Sequence, residues 1–484
     1  MITRIKINGF KSLLNTELYL GPFTCIAGAN AAGKSNFFDA LVFLSHLADK
    51  TIIEATKSIR SESQMHSDLK DIFFRSGELS YKQMEFEVDM LVPRSAEDDL
   101  GQKAETSVSS LRYKLVLKLN EINPYSELLP IEILEESLIP MTRQDAKKSL
   151  GFEYSKEWAN SVFFGRKSSK IISTEGGKIK LHQDTHGKSG GRAAEFIASK
   201  MPRTLLSTVT AESPTAFLVR QEMRNWQMLQ FEPSALRKPS SFHDVLHSKV
   251  DAHGGNIAAT LTRLSQNDEV SIFQSITNLL TDLITGVKGV NVEEDEKREL
   301  LTLTIVYKSG LTLPAQSLSD GTLRFIALSV IYEDSRNSLI CMEEPENGIN
   351  PQKISAIVEL LERLSFNPFE AIDEQANPLR QVIINTHSPK LIEMVPDNSL
   401  YLASTEEMYN VVFKKKVNYT KFYILPDTYK KKKYNSFDEI SLGEMRRYLD
   451  DSLRDHIYNV NRMKYSKKKT VRENILEQEK GLFD

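Results

Sequence analysis

Gly28-Ala29-Asn30-Ala31-Ala32-Gly33-Lys34-Ser35 has the spacing G-x-x-x-x-G-K-S of a Walker A phosphate loop, and its reading decides the fold. Phe23-Thr24-Cys25-Ile26-Ala27 precedes it as an apolar run that reads as a buried strand. Phe37, Phe38, Leu41, Leu44 and Ala48 follow it at helical spacing. Strand, loop and helix in that order are the context the motif needs. Glycines let the backbone wrap closely round an anion, so that successive N–H groups point at a phosphate. The helix N-terminus adds partial positive charge. Gly28, Asn30, Gly33, Lys34, Ser35 and Asn36 are the expected nucleotide-binding set, with Lys34 reaching the β- and γ-phosphates and the Ser35 hydroxyl ligating Mg²⁺.

The bulk properties frame that site. The chain has 484 residues, enough for several domain-sized units, and its 40% hydrophobic content allows a large core. A net charge of −3 excludes a polycation, so nucleic-acid contact would have to come from local patches. Two cysteines, Cys25 and Cys341, lie far apart in apolar runs and read as buried thiols of a reducing compartment. No apolar run approaches a membrane-spanning length, and the chain opens with a strand pattern instead of a signal peptide. The expectation is a cytoplasmic protein with no membrane partner.

Along the chain, Met1 to Phe10 and Thr16 to Leu20 alternate apolar and polar as a hairpin feeding the phosphate-loop strand. Lys11 and Ser12, between them, either lie near the adenine or sit on an exposed loop. Met84 to Met90, Leu111 to Leu119, Ile131 to Leu138, Lys170 to Ser173 and Lys178 to His182 read as strands of an antiparallel sheet, with Gly176-Gly177 as a hairpin turn. From 195 to 290 the pattern turns helical. His243, His247 and His253 with Asp244 and Asp251 form a cluster there that reads as incidental more readily than as a metal site.

A second set of motifs follows. Leu318-Ser319-Asp320-Gly321-Thr322 is a small polar turn opening a helix, again an anion site. Ser338 to Met342 is a buried-strand run ending in Glu343-Glu344-Pro345-Glu346-Asn347, and Gln381 to Asn385 is another, ending in Thr386-His387-Ser388-Pro389. A strand ending in two carboxylates is the Walker B arrangement. Glu343 would hold the metal, and Glu344 would orient and polarise the attacking water. His387, at the end of a neighbouring strand, would contact the γ-phosphate.

Together these motifs resemble ABC-type ATPases, and more narrowly the bacterial AAA-family, RecF/SMC-like group that includes overcoming-lysogenisation-defect proteins and anti-phage defence ATPases. The resemblance covers nearly the whole chain, and within the group it is nearest to the ATPase subunits of Septu-type or retron-associated systems. It implies ATP and Mg²⁺ as cofactors and a head-to-tail homodimer or higher homo-oligomer. Ser319, Asp320 and Gly321 of one copy would then act in trans on the nucleotide held by Lys34 of another. Glu344 would be the catalytic base, assisted by His387, and a separate nuclease or toxin effector would be gated by the ATPase. The rival within the resemblance is a DNA-repair or chromosome-maintenance ATPase. Glu343 departs from the aspartate of many relatives, and Asp320-Gly321-Thr322 from the Gly-Gly-Gln of transporters. The usual glutamine is not placed, Gln64 and Gln83 being weak candidates.

The implied fold class is α/β: an ABC-type P-loop ATPase head with an antiparallel β subdomain, a helical insertion and a basic C-terminal tail. The expected division is 1–92, the N-terminal lobe with Walker A; 93–195, a β-rich insertion; 196–300, a helical insertion; 301–400, the C-terminal lobe; and 401–484, the basic region. Residues 411–484 carry 18 Lys and Arg against 11 Asp and Glu. Lys414-Lys415-Lys416, Lys430 to Lys433 and Lys467-Lys468-Lys469 alternate with aromatics, which suits nucleic acid, an acidic protein partner or a solvated tail. The segment lacks the Asp-x-Asp pair of a TOPRIM nuclease and the spaced histidines of an HNH nuclease.

Overall fold

The computed structural model describes residues 1–59, 68–77, 79–98, 101–121, 128–165, 169–182, 194–266, 269–411, 413–447 and 449–450. Its centre is a six-stranded sheet in the order Trp226–Leu229, Leu339–Glu343, Gln381–Thr386, Phe23–Ala27, Leu400–Asn410 and Lys415–Tyr423. The first five strands run parallel and the last pairs antiparallel. All residues of Phe23–Ala27 and Gln381–Thr386 are buried, as befits parallel strands covered on both faces.

Alternation divides those strands between two cores. Ile26, Leu339, Cys341 and Ile383 face one side, where they meet Phe37, Phe38 and Leu44 of the helix Lys34–Leu47. Cys25, Ile340, Met342, Val382 and Ile384 face the other, with Leu323, Ile326 and Val330 of the helix Asp320–Glu333. The two cysteines therefore point to opposite faces, and burial pushes both thiols up. The first core continues into an eight-stranded antiparallel sheet that runs from Thr16–Tyr19 through Ile2–Asn8, Gln83–Leu91, Ser110–Leu119 and Ile131–Pro140 to the edge strand Ala194–Ile197. Ile172–Glu175 and Lys178–Leu181 join it through a turn in which Gly176 and Gly177 take φ 58° and 73°, as a tight primed hairpin turn requires.

With both faces apolar, hydrophobicity does not select register in the central sheet, and a polar clamp does. Gln381 is fully buried. Its amide nitrogen donates to the carbonyls of Ile2 at 2.9 Å and Gly21 at 2.8 Å, and its oxygen accepts from the Ile2 N–H at 3.0 Å. One side chain thus pins the start of the histidine-bearing strand to the first hairpin.

Two expectations about organisation change, and the histidines form no metal site among the described residues. Residues 196–300 are mixed, not helical: Trp226–Leu229 is a strand of the central sheet, and Val287–Asp295 pairs antiparallel with Leu300–Tyr307. The region after 400 does not begin as a tail, because Leu400–Leu402 pairs with Cys25–Ala27. The histidine cluster is dispersed. His243 bonds Glu299 at 3.2 Å, His253 bonds Glu232 at 3.2 Å, and no group of three metal-ligating side chains forms among the described residues.

The lysine run 430–433 is also not a free basic patch. Lys430 is buried, with its ammonium 4.4 Å from the centre of the Tyr401 ring and donating to the Asn398 carbonyl. Lys433 donates to the carbonyls of Lys147 at 2.7 Å and Leu150 at 2.8 Å. The run fastens the C-terminal region to Asn398 and to the end of the helix Arg143–Lys148. Lys467-Lys468-Lys469 lies outside the described residues.

Two outcomes follow from these contacts. Replacing Gln381 with Leu leaves three buried backbone groups unpaired, and urea denaturation should register a loss of about 3 kcal/mol or more. Burial lowers the Lys430 pKa to about 7. An unfolded chain therefore binds the extra proton between about pH 7 and the ordinary lysine range, and stability rises with pH across that window. Relative to Lys430→Met, the wild type should gain stability between pH 7 and 10; parallel pH curves for the two would contradict the buried-lysine account.

Candidate functional site

The parallel strands deliver their C-terminal ends to one edge, where ligands bind in open α/β sheets. Phe23–Ala27 opens directly into the phosphate loop. Gly28 has φ 156°, and a Cβ there would lie 2.5 Å from the Ala403 carbonyl oxygen. Gly33 has φ 88°, and a Cβ there would lie 1.9 Å from the Thr420 hydroxyl. Both positions therefore need glycine. No side chain caps the first turn of the helix Lys34–Leu47, and that turn holds no acidic residue. Its N–H groups and dipole face the loop uncompensated.

Lys34 is buried, and its ammonium is held by the carbonyls of Gly28 at 2.7 Å and Ala29 at 2.9 Å. Desolvation lowers its pKa, opposed by the nearby carboxylates of Glu344, Glu343 and Glu346. Asn36 donates to the Ser12 hydroxyl at 2.7 Å, which in turn shares a 2.6 Å hydrogen bond with Thr420. Ser12 thus supports the loop from behind. Lys11 is engaged by Asp39 at 2.7 Å.

The paired carboxylates end the next strand but one. Glu344 adopts φ 46°, a strained conformation for a non-glycine residue that turns its side chain out of the sheet line. Its carboxylate meets His387 Nδ1 at 2.6 Å and accepts from the Asn347 amide at 2.7 Å. Asn385 secures the pair from the neighbouring strand. Its backbone and side-chain oxygens accept from the Glu344 N–H, and its amide donates to Glu343 at 3.1 Å. Glu346 lies deeper: one oxygen accepts from the Thr386 hydroxyl, the other has no hydrogen-bond partner among the described residues, and burial raises its pKa.

A cavity of about 550 Å³ joins these groups. Asn30, Gly33, Lys34, Ser35 and Asn36 line one wall and Glu343, Glu344, Asn347 and Asn385 another. The residues present fit a nucleoside triphosphate with Mg²⁺. The loop is a cradle that only glycines allow, a lysine lies beside it, and the Ser35 hydroxyl and the Glu343 carboxylate are hard oxygen donors of the kind Mg²⁺ takes, with phosphate oxygens and water completing its shell.

Gln230, Arg324 and Asn385 are polar wall residues not expected from the sequence. Gln230 follows the strand Trp226–Leu229, whose parallel pairing with Leu339–Met342 brings it to the cavity. The only signal was the short run Trp226-Gln227-Met228-Leu229, inside a stretch that otherwise reads as helical. The earlier candidates do not serve: Gln83 is exposed at the start of a strand of the antiparallel sheet, opposite Lys118, and Gln64 lies outside the described residues. Arg324, on the helix that Ser319 caps, also lines the cavity.

Ser319, Asp320 and Gly321 are not among the residues that line it. The Ser319 hydroxyl caps the helix by accepting from the Thr322 N–H at 3.3 Å. The Asp320 carboxylate is bound by Arg237, which also donates to the Leu318 carbonyl at 3.0 Å. Gly321 packs against the Asn347-Gly348 turn, its Cβ position 3.3 Å from the Gly348 carbonyl.

Comparisons with known proteins bear on this arrangement. No curated protein matches the chain. Among solved structures it is similar to an Smc head bound to the C-winged helix domain of ScpA, at 12% identity and TM-score 0.44 over 87% of this chain and 97% of that one. It is also similar to an Smc head with an extended coiled coil bound to the C-terminal domain of ScpA from Pyrococcus furiosus, at 11% identity and TM-score 0.43, covering 87% and 96%. An Smc head with coiled coil and joint from Pyrococcus yayanosii gives 11% identity and TM-score 0.42, covering 93% and 99%. No helix among the described residues is long and apolar enough to cross a membrane. The family model for an AAA domain, described as putative AbiEii toxin of a Type IV TA system, matches residues 23–121 and 231–393. The first segment carries the phosphate loop and the second the signature turn, both carboxylates and the histidine. With more than half of its length matched, and the two segments meeting across one cavity, the chain belongs to this family of AAA domains.

Proposed function

We propose that the protein is an ATP-hydrolysing ATPase of the ABC, RecF/SMC-like type whose nucleotide state gates a partner effector nuclease in bacterial anti-phage defence. The observation that carries the ATPase reading is that Glu344, in contact with His387, shares one cavity with the phosphate loop. In this reading the loop N–H groups and Lys34 hold the β- and γ-phosphates. Ser35 and Glu343 hold Mg²⁺, which would neutralise charge developing on the phosphate oxygens. Glu344, oriented by His387 and Asn347, accepts a proton from the attacking water as general base. Asn385 keeps both carboxylates on the cavity side.

The signature turn supports a composite site. Ser319 and Gly321 stand apart from the cavity of their own chain while presenting a helix N-terminus, so a second copy in head-to-tail arrangement would supply them in trans. The defence setting draws on the resemblance to Septu-type and retron-associated ATPases and on the toxin named in the family description. A second reading, an ATPase acting on DNA in repair or chromosome maintenance, is favoured by one feature. Lys414, Lys415 and Lys416 are exposed at the turn joining Leu400–Asn410 to Lys415–Tyr423, beside exposed Tyr409 and Val411.

The composite site has a direct test. Lys34→Ala and Ser319→Arg should each abolish turnover in homodimers. Mixed copies form one doubly damaged and one intact site, so mixing the two inactive proteins should restore a measurable fraction of wild-type hydrolysis. Failure of mixing to restore any turnover would exclude trans action.

Glu344→Gln should retain ATP and lower kcat by about 10²–10⁴-fold. Expressed with its neighbouring genes and purified, this trapped form is expected to carry a stoichiometric nuclease or toxin. Recovery of DNA without such a protein would favour the repair reading.

A further inference from the structure

Arg324 sits one turn inside the helix whose N-cap is Ser319, and it lines the cavity of its own chain together with Lys34, Gln230 and Glu344. Its surroundings are incomplete. Its one hydrogen bond among the described residues is long, from a terminal guanidinium nitrogen to the Phe231 carbonyl at 3.3 Å. Its Nε is buried without a partner. The carboxylates of Asp320 and Glu346 act on it only through space. Asp320 is already bound by Arg237, and Glu346 by Thr386. Desolvation is the largest influence on the guanidinium, so its cation is held at a cost that no carboxylate contact offsets.

A largely desolvated cation that lines a cavity fitting phosphates, with one long hydrogen bond of its own, suits an anion. Arginine's planar fork matches phosphate oxygens better than any other side chain. Lys34 already serves the loop side, where the β-phosphate would rest. Arg324 lines the same cavity together with Gln230 and the carboxylates that, in the reading above, would meet the terminal phosphate.

We propose that Arg324 binds the γ-phosphate of the nucleotide in its own chain's cavity and is the residue that separates ATP from ADP. The assignment rests on the reading of the cavity as an ATP site. It makes the helix Asp320–Glu333 serve two nucleotides. Its N-terminal turn offers Ser319 to the partner copy, and its second turn reads the terminal phosphate of its own. A gain or loss of that phosphate would then bear directly on the element that the partner's site uses.

The test is equilibrium titration of the full-length protein with ADP and with a non-hydrolysable ATP analogue, both with Mg²⁺. Wild type, Arg324→Ala, Arg324→Lys and Lys34→Ala are compared, with thermal melting to verify folding. Arg324→Ala should weaken the triphosphate analogue by about 10–100-fold and leave ADP within about threefold. Arg324→Lys, which keeps the charge but loses the fork, should fall between. Lys34→Ala should weaken both nucleotides. If wild type binds both nucleotides and Arg324→Ala weakens both alike or neither, the assignment is overturned while the ATPase reading stands. If wild type binds neither, both fall. Should Arg324→Ala melt below the assay temperature, Arg324→Lys decides by the same criterion: selective loss of the triphosphate supports the assignment, and equal or no loss overturns it.

Discussion

A parallel sheet buried on both faces leaves only its strand ends for polar chemistry, and this constraint organises the molecule. Leu339–Glu343 is apolar until its last residue, Gln381–Thr386 is apolar between Gln381 and its last two residues, and Phe23–Ala27 is apolar but for Thr24, because each alternate side chain enters one of two cores. Polar groups appear where the cores end. Parallel direction then puts those ends on one edge, so residues hundreds of positions apart line one cavity. The Gln381 clamp sets the register on which this depends. A slip of one residue would exchange the two faces and carry Asn385 away from the carboxylates.

Backbone strain and incompletely bonded charge both occur at that edge. Glu344 holds a positive φ, Lys34 is desolvated, and Glu346 and Arg324 each keep a buried polar atom unpaired. Two buried carboxylates of the antiparallel sheet are well satisfied. Asp89 is fully buried yet bonded by Arg4, Arg112 and Ser149. Glu136 accepts from two backbone N–H groups and the Tyr113 hydroxyl. Such fully bonded charge braces the fold.

The C-terminal region illustrates how basic composition misleads. The run Lys430 to Lys433 has the pattern of a nucleic-acid patch, but Lys430 lies over the Tyr401 ring and Lys433 reaches carbonyls near residue 150. Long aliphatic stems let lysines pack as well as solvate. Composition counts charges without saying where the ammonium groups end. Lys414 to Lys416, by contrast, are exposed at the end of a hairpin.

The phosphate loop, the paired carboxylates and the histidine were legible in the sequence because each is a short local pattern at the end of an apolar run. Local chemistry dictates them: glycines where the backbone must wrap an anion, and carboxylates where a buried strand stops. Gln230 and Arg324 were not legible. Gln230 reaches the cavity through a four-residue strand whose identity depends on pairing with Leu339–Met342, a contact across more than a hundred residues. Arg324 differs from any surface arginine of a helix only by which wall that helix packs against. Sequence determined the local motifs of the candidate site; tertiary pairing alone decided which distant polar groups share its cavity, because non-local strand register leaves no periodic trace in a single chain.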